Sequence, residues 1–292
     1  MNRGCRFAVL FLCLLVCVSA AYGQGRCTMQ NIVGTYAFMS TGSSTIVTGA
    51  APIPPHWSAL YAPISIVGKF TVYPNGTAKG LYWAIVGTVN FGLTGIDLDA
   101  TITLNDDCTG TIQYPAGPNQ TVQKEDFFVL DNGREIRSVA VQTNVPTGTW
   151  VTTAHRINGS CGQHKVHGLY LFDCNSELLA LPVPPPNIFA GAFLIRMLVS
   201  PGGEYTGTMI GKVGPINTEP GLPVSGNLTI HDDCTAEGTL ASPAQPSINL
   251  AKGVFFDEGR QGYWLPLVNK FPDDSTSSQL YSYCSITLMD RR

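Results

Sequence analysis

The sequence predicts an all-β protein that consists of two tandem antiparallel β-barrels of about eight strands each. Composition is the first observation: Gly and Pro number 31 and 20 among 292 residues, and charged residues make up only 13%. The second is an internal repeat, and the third is an alternation of apolar and polar residues with period two. Two-sheet β-sandwiches are the alternative, because they use antiparallel strands of the same length.

The N-terminal residues have the features of a cleavable export signal. Arg3 and Arg6 supply positive charge, an apolar run of twelve residues follows at 7–18, and small residues come next. A run of this length is too short for a transmembrane helix, which needs about 20 residues. We therefore expect a protein that is secreted, periplasmic or attached to the cell envelope. The predicted segments are a signal peptide, a first repeat and a second repeat, at 1–23, 24–157 and 158–292.

Charge and hydropathy narrow the classes of partner. The formal net charge is -3, and the few basic residues do not cluster. A nucleic-acid-binding protein carries a basic patch or stripe, so we expect no nucleic-acid partner. After the signal, no stretch is long and apolar enough for a membrane-spanning helix, so we also expect no membrane span.

Matching segments occur in the same order in both halves of the chain. The most specific is Asp-Asp-Cys-Thr, at 106–109 and 232–235. The other matches are a Gly-x-Tyr-x-Phe segment, a Pro-rich loop and a turn ending in Gly-Arg, found at 34–38 and 168–172, at 52–55 and 182–186, and at 131–134 and 257–260. Such repetition indicates two copies of one structural unit.

The cysteines fit this duplication. Six of the nine remain after the predicted signal peptide is removed, and cysteines of an exported chain form disulfides. Two copies of one fold form the same bridge, and the two remaining cysteines lie in the first and last strands of the second repeat, which barrel closure places side by side. The expected pairs are Cys27–Cys108, Cys161–Cys234 and Cys174–Cys284.

Strands follow from alternation and from turn residues. At 96–104, apolar residues alternate with Asp97, Asp99 and two threonines, which is the period of a half-buried strand. Asn75-Gly76 is a strong hairpin signal, because both residues tolerate a positive φ. The predicted strands of the first repeat are 33–40, 65–73, 77–87, 96–104, 109–114, 125–131, 135–142 and 149–156.

These features carry a resemblance to a known group of proteins. The Cys-x6-Gly-x-Tyr opening, the Gly-rich hairpins and the Asp-Cys-Thr-Gly-Thr segment resemble an uncharacterised family of exported bacterial β-barrel repeat proteins. That family is similar in organisation to the allene oxide cyclase and dirigent type of barrel, within the calycin-like group. The resemblance implies a barrel fold over both halves and transfers no catalytic residue.

Two carboxylates are weak candidates for acid–base chemistry. Asp97 and Asp99 lie two residues apart and therefore share one face of their strand. If the apolar face of that strand points to the core, both carboxylates meet water. If the lumen is polar, they line it and become the catalytic candidates.

Aromatic residues are the weak candidates for ligand binding. His56 and Trp57 follow a Pro-rich stretch in a loop suited to capping a barrel mouth or to contacting a partner, although a rigid crossover loop that packs on the barrel end is the favoured explanation. Tyr82, Trp83 and Trp264 are expected in the core or lumen because of their bulk.

Metal and cofactor sites are not predicted. His164 and His167 lie three residues apart, so on a strand their side chains point to opposite faces. The repeated Asp-Asp pair before Cys108 and Cys234 is typical of an Asx turn, whereas calcium takes six to eight oxygen ligands. We expect no metal and no cofactor.

Three functions remain open from the sequence. The preferred one is a non-enzymatic binding or envelope-associated module for a small apolar ligand or a glycan. The alternatives are a cyclase or isomerase of the allene oxide cyclase or dirigent type, which works in the barrel lumen, and a structural cell-surface module. A hollow lumen with one buried carboxylate would favour the cyclase, whereas a filled lumen would exclude it and weaken the ligand-binding form of the preferred function. The sequence does not establish an oligomeric state.

Overall fold

The structure is a computed structural model. It describes residues 26–46, 60–86, 89–115, 122–143, 148–180, 187–213, 216–217, 221–242, 245–266 and 279–290. The predicted signal peptide and the candidates His56 and Trp57 lie outside these residues.

The first barrel is an eight-stranded antiparallel sheet that closes on itself. Each strand pairs with the next along the chain, and the last pairs with the first, with Ser40 opposite Thr152. The strands are β1 (Gly34–Ile46), β2 (Leu60–Val72), β3 (Thr77–Val86), β4 (Val89–Leu104), β5 (Thr109–Tyr114), β6 (Gln123–Leu130), β7 (Glu135–Gln142) and β8 (Thr149–Arg156).

The second barrel repeats this arrangement and closes through a pairing of its second and third strands. A two-residue strand, β12 (Ile216–Asn217), adds to its edge. The other strands are β9 (Gly168–Ala180), β10 (Asn187–Val199), β11 (Glu204–Val213), β13 (Leu222–Ile230), β14 (Thr235–Ser242), β15 (Gln245–Phe256), β16 (Gln261–Pro266) and β17 (Gln279–Asp290). The prediction of two tandem eight-stranded barrels is confirmed, and the β-sandwich alternative is wrong.

Strand β1 extends past the predicted end at residue 40, because Gly42 allows the neighbouring strand β8 to approach closely. Gly42 looks like a turn residue in the sequence, yet it pairs with Trp150 of β8. A Cβ atom at Gly42 would lie 2.0 Å from the carbonyl oxygen of Thr149. Glycine is therefore required by the approach of the neighbouring strand, and the strand continues to Ile46.

One end of each barrel is covered by the segment that precedes its first strand. In the first barrel this segment contains the one-turn helix α1 (Met29–Ile32), and the side chain of Ile32 is fully buried. In the second it contains a 3-10 turn (Gln163–Lys165) followed by the fully buried Val166. We call this the capped end of each barrel.

The three predicted disulfides are confirmed. Two of them tie the capping segments to the turn between the fourth and fifth strands of each repeat, and the third joins β9 to β17. The bridges are Cys27–Cys108, Cys161–Cys234 and Cys174–Cys284.

The repeated Asp-Asp-Cys-Thr segments form the turns to which these bridges attach. Oδ1 of Asp107 accepts hydrogen bonds from the backbone N–H of Thr109 (3.0 Å) and from its hydroxyl (2.6 Å). Asp233 makes the same two bonds to Thr235. Cys108 adopts a φ of 68° in this turn, and the Asx bonds stabilise this unusual backbone conformation. The expected Asx turn is therefore present in both repeats.

The two barrels pack side by side through their outer surfaces. One buried apolar cluster contains four residues from each barrel: Ala37, Val67, Trp83 and Ile85 from the first, and Val254, Phe256, Tyr263 and Leu265 from the second. At its edge, Nζ of Lys69 lies 2.5 Å from a carboxylate oxygen of Asp233. The ring of His155 stacks on Phe256 with a centroid distance of 4.9 Å.

Candidate functional site: a buried carboxylate in the first barrel

Apolar side chains fill the capped half of the first barrel. The buried cluster includes Tyr36, Phe38, Phe70, Val72, Leu98, Ile102, Ile112, Phe127, Val129 and Ile136. The hydroxyl of Tyr36 donates to the carbonyl oxygen of Gly133 at 2.6 Å, and the Arg156 guanidinium lies over the Tyr36 ring. This half of the lumen is a packed core with no room for a ligand.

A buried carboxylate lies above this core, on the side away from the capped end. Alternation in β6 directs Glu125, Phe127 and Val129 into the lumen, and Glu125 is only 3% exposed. Its Oε2 accepts hydrogen bonds from the hydroxyls of Ser138 (2.5 Å) and Thr152 (3.3 Å). Its Oε1 accepts bonds from the indole N–H of Trp150 (2.9 Å) and the Tyr114 hydroxyl (3.1 Å).

The four donors come from three different strands. Tyr114 ends β5, Ser138 lies on β7, and Trp150 and Thr152 lie on β8. A carboxylate has about four sites for accepting hydrogen bonds, two on each oxygen, so the four donors saturate Glu125. Ser40 of β1 extends this polar layer through a hydrogen bond to the Thr152 hydroxyl at 2.7 Å.

Tyr114 remains a hydrogen-bond donor over the physiological pH range. Burial of its phenol, followed by the negative charge of Glu125, raises the pKa of Tyr114 well above its usual value of 10.0. The phenol therefore stays protonated and keeps its O–H directed at the carboxylate.

Glu125 has no cationic partner among the residues that the structure describes. No Lys, Arg or His nitrogen in that set lies within ion-pair distance of it. Removing an unpaired carboxylate from water is unfavourable by an amount on the order of several kcal/mol. The four hydrogen bonds offset part of this cost.

A second apolar cluster lies beyond the polar layer. It consists of the buried residues Ile64, Ala140 and Trp150, with Ile66 and Val86 packed against them. Trp150 belongs to both environments, since its N–H donates to Glu125 while its ring contacts the apolar cluster. The arrangement therefore places an apolar surface next to a carboxylate whose four hydrogen-bonding sites are already filled.

The second barrel has a different interior at the same positions. Strand register aligns Ser40 and Thr152 with Cys174 and Cys284, because each pair sits opposite between the first and last strands. Glu125 aligns with Ala251, which is buried. The second barrel therefore has a disulfide where the first has a hydrogen bond, and a methyl group where the first has a carboxylate.

Trp264 fills the corresponding space in the second barrel. It occupies the position of Ser138 and packs on Gly253 of the neighbouring strand β15 and on Gly238 of β14, the next strand beyond it. A Cβ atom on either Gly238 or Gly253 would lie 2.5 Å from its ring. Trp264 thus belongs to the buried core of the second barrel, where its ring fills space.

The other predicted site residues lie in separate places. Asp97 and Asp99 are exposed on the outer face of β4, and Asp99 forms an ion pair with Lys79 at 3.6 Å. Tyr82 packs against the core of the first barrel, whereas Trp83 is buried between the two barrels. The structure does not bring these residues together with each other or with Glu125.

Glu125 is not among the site residues predicted from the sequence, although the sequence contains a signal for it. In Glu125-Asp126-Phe127-Phe128-Val129, alternation places the glutamate on the same face as two apolar residues of the core. A charged residue on the apolar face of a strand is the pattern of a buried functional carboxylate.

Metal ligands and membrane-spanning helices are not found in the described parts of the chain. There, no three His, Cys, Asp or Glu side chains are grouped as a metal site would require. Within the same ranges, no helix has the length and apolar character needed to cross a bilayer.

Comparison with known proteins shows no family for this chain. No family model and no curated protein matches it. Among solved structures, it is similar to a double mutant of the vaccine antigen transferrin binding protein B from Haemophilus parasuis Hp5, with 8% identity over 88% of this chain and 76% of that one and a TM-score of 0.33. A DUF3598-family protein of unknown function from Nostoc punctiforme PCC 73102 matches with 10% identity over 89% and 96% of the two chains and a TM-score of 0.22. Similarity this weak supports no conclusion about function.

Proposed function

We propose that the protein is an exported, non-enzymatic binding module that holds a small apolar ligand in the first barrel. The ligand lies against the apolar cluster of Ile64, Ala140 and Trp150, beyond the polar layer of Glu125. The observation that carries this proposal is the buried, fully hydrogen-bonded Glu125 carboxylate.

The second barrel supports this proposal because it shows that the fold does not need the carboxylate. Both barrels have the same strand order, capped end and turn disulfide, yet Ala251 replaces Glu125 in the second. Burying a carboxylate destabilises a protein unless another benefit offsets the cost. Retaining one in the first barrel therefore favours a role in binding.

The apolar surroundings favour an apolar ligand over a glycan. Glycan sites present many hydrogen-bonding groups, whereas the cluster beyond Glu125 offers aliphatic side chains and the Trp150 ring. The polar layer beside this cluster is occupied by its own hydrogen bonds, since each oxygen of Glu125 already accepts two, so apolar contacts hold the ligand.

A cyclase or isomerase remains the second candidate, since Glu125 is a carboxylate in a largely apolar lumen. A general base must accept a proton from its substrate, and both oxygens of Glu125 already accept two hydrogen bonds. Proton transfer would require one of these donors to leave. This geometry favours binding over catalysis.

Blocking the site with a larger side chain tests the proposal. Ala140→Trp fills the apolar cluster without removing a hydrogen bond, and Val141→Trp is a matched control because Val141 is exposed on the outer face of the same strand. We expect the fluorescent probe N-phenyl-1-naphthylamine to bind the wild-type protein saturably. We expect Ala140→Trp to weaken binding by at least about tenfold, and Val141→Trp to leave it unchanged.

Two outcomes would count against the proposal. One is the absence of saturable probe binding to the wild-type protein, and the other is equal binding by the wild type and Ala140→Trp. Native mass spectrometry of the purified protein adds a test of the second candidate. A co-purified molecule that is recovered with its mass and structure unchanged after incubation favours binding, whereas conversion to an isomer favours the enzyme.

A further inference from the structure

Within the chain, the outer surfaces through which the two barrels contact each other are not equivalent. We call the outer side of the first three strands of a repeat face A, represented in the first barrel by Ala37, Val67 and Trp83. We call the outer side of the sixth and seventh strands face B, represented in the second barrel by Val254, Phe256, Tyr263 and Leu265. Face A of the first barrel packs on face B of the second, and all of these residues are buried.

Each repeat contains both faces, so one copy of each face is left unused. Strand register identifies them. Val67 pairs with Trp83 as Leu194 pairs with Ile210, which places face A of the second barrel on β9–β11. Likewise, Val254 pairs with Tyr263 as Phe128 pairs with Arg137, which places face B of the first barrel on β6 and β7.

The unused faces are the apolar parts of the exposed surface. On face B of the first barrel, Phe128 is 61% exposed and Val139 is 41% exposed. On face A of the second barrel, Leu194 is 41% exposed and Ile210 is 49% exposed. Within the described ranges, most of the exposed large apolar side chains lie on or beside these two faces: Phe128, Leu130, Val139, Val141, Val151, Leu194, Leu198 and Ile210. Such patches mark interaction sites.

The ion pair at the edge of the internal contact has a counterpart on the two unused faces. Within the chain, Lys69 on face A pairs with Asp233 beside face B. The equivalent of Lys69 in the second barrel is Arg196, and the equivalent of Asp233 in the first is Asp107. Both are exposed. Contact between the unused faces would therefore pair Arg196 with Asp107 just as Lys69 pairs with Asp233.

Face B of the first barrel is concave where a partner side chain would enter. A depression of about 450 Å³ lies over β5–β7 and is lined in part by Asp126, Phe128, Arg137 and Val139. At the equivalent place on the second barrel, Trp83 lies in one buried cluster with Val254 and Leu265, and its ring centroid is 6.0 Å from Nζ of Lys252. Ile210 is the counterpart of Trp83 and is smaller, so it fits the same position.

We propose that a second copy of this chain docks on these faces, repeating between molecules the contact that joins the two barrels within one molecule. Face A of the second barrel of one copy packs on face B of the first barrel of the next. This contact joins unlike surfaces and leaves one unused face at each end of the pair, so it generates open chains or closed rings. Strands two and six lie on opposite sides of an eight-stranded barrel, so neither face obstructs the other.

The oligomeric state of the full chain tests this proposal. We expect analytical ultracentrifugation to show species that grow beyond a dimer as the concentration rises to about 100 µM, since an interface of modest apolar area associates weakly. Phe128→Lys and Ile210→Lys each remove one face, and both residues are exposed, so the fold is unaffected. Tyr73→Lys is the matched control, because Tyr73 is an exposed aromatic residue outside both faces.

Mixing the two variants provides the decisive measurement. Each variant alone should be monomeric, because it lacks one of the two faces. An equimolar mixture should form a dimer and nothing larger, because each variant retains the face that the other lacks, and Tyr73→Lys should assemble as the wild type does. A monomeric wild type at all concentrations, assembly that survives either face variant, or a mixture that stays monomeric would overturn the proposal. Association only with an added unlike protein would assign the faces to that partner instead.

Discussion

The two barrels have the same strand order, capped end and turn disulfide, and they differ in the side chains that fill their interiors. Tyr36 and Tyr170 each donate to the glycine carbonyl of the equivalent 3-10 turn, Asp131–Gly133 in the first barrel and Asp257–Gly259 in the second. Away from the capped end the interiors diverge, with a hydrogen-bonded polar layer in one barrel and a disulfide beside a tryptophan in the other. Closure of the barrel therefore depends on the features that both barrels share. The interior away from the capped end can differ without loss of the fold.

The difference also predicts unequal stability. The Cys174–Cys284 bridge spans 110 residues, and a disulfide across a loop of that length stabilises a fold by about 4–5 kcal/mol through chain entropy. The first barrel has a single hydrogen bond at the same place, which contributes about 1 kcal/mol. We therefore expect the first barrel to open before the second.

Exchanging these residues gives the largest expected effect. Cys174→Ser combined with Cys284→Thr places in the second barrel the residue pair of the first, Ser40 and Thr152. We expect this double variant to lose about 3–5 kcal/mol of unfolding free energy in the second barrel, because the unfolded chain regains its loop entropy. Hydrogen exchange measured by mass spectrometry reports this locally, with peptides from the first barrel as the internal control. A loss below about 1 kcal/mol would mean that the bridge does not set the difference.

The buried carboxylate gives the next largest effect. Glu125→Ala places in the first barrel the residue found in the second, Ala251, and leaves the donors of Tyr114 and Trp150 without their acceptor. We expect a loss of about 2–4 kcal/mol, because unsatisfied buried polar groups and an unfilled space both destabilise. Adding Tyr114→Leu, which matches Leu240 of the second barrel, should recover part of this loss. Thermal unfolding measures the stability of the single and the double variant. Asp126→Asn, on the outer face of the same strand, is the control.

A gain in stability on Glu125→Ala would have a different meaning. It would indicate that burial of the Glu125 carboxylate destabilises the barrel by more than its four hydrogen bonds stabilise it. This result is expected of a residue that is kept for function alone. Stability unchanged within error would contradict the view that the four donors depend on Glu125.

Much of the fold was predictable because its signals are local or repeated. Alternation along 96–104 and the Asp-Asp-Cys-Thr turns each lie within one strand or turn, and duplication related the cysteines over long distances. Glu125 was harder, since its donors Tyr114 and Trp150 lie 11 and 25 residues away in the sequence. Alternation assigns a residue to a face, but it does not identify the residues that meet it across a lumen.

Contacts between the barrels were beyond the sequence analysis for the same reason. Trp83 was expected in the core or lumen, and its bulk alone does not distinguish the inner face of β3 from the outer one. Only strand register shows that it points away from Tyr82 and toward the second barrel. The interface also explains why the outer faces of β15 and β16 are apolar.

The smallest expected effect concerns pH and the interface between the barrels. His155 lies on the outer side of β8, stacks on Phe256 and faces Tyr263. Its position in the second barrel is occupied by Thr287, which does not titrate. Burial lowers the pKa of His155 below its usual value of 6.5, and the nearby charges of Glu135 and Arg137 act in opposite directions on that pKa.

The sign of the pH effect follows from this lowered pKa. As pH falls below 6.5, the unfolded chain takes up a proton at residue 155 before the folded protein does, so the contribution of His155 to stability is present at neutral pH and decreases on acidification. Because water reaches part of the ring, we expect a loss below about 1 kcal/mol between pH 7.5 and 5.5. His155→Phe keeps a ring against Phe256 and cannot titrate, so thermal unfolding of the two proteins should diverge only toward low pH. Parallel pH profiles of the two proteins would show that the contact of His155 with Phe256 is not pH-sensitive.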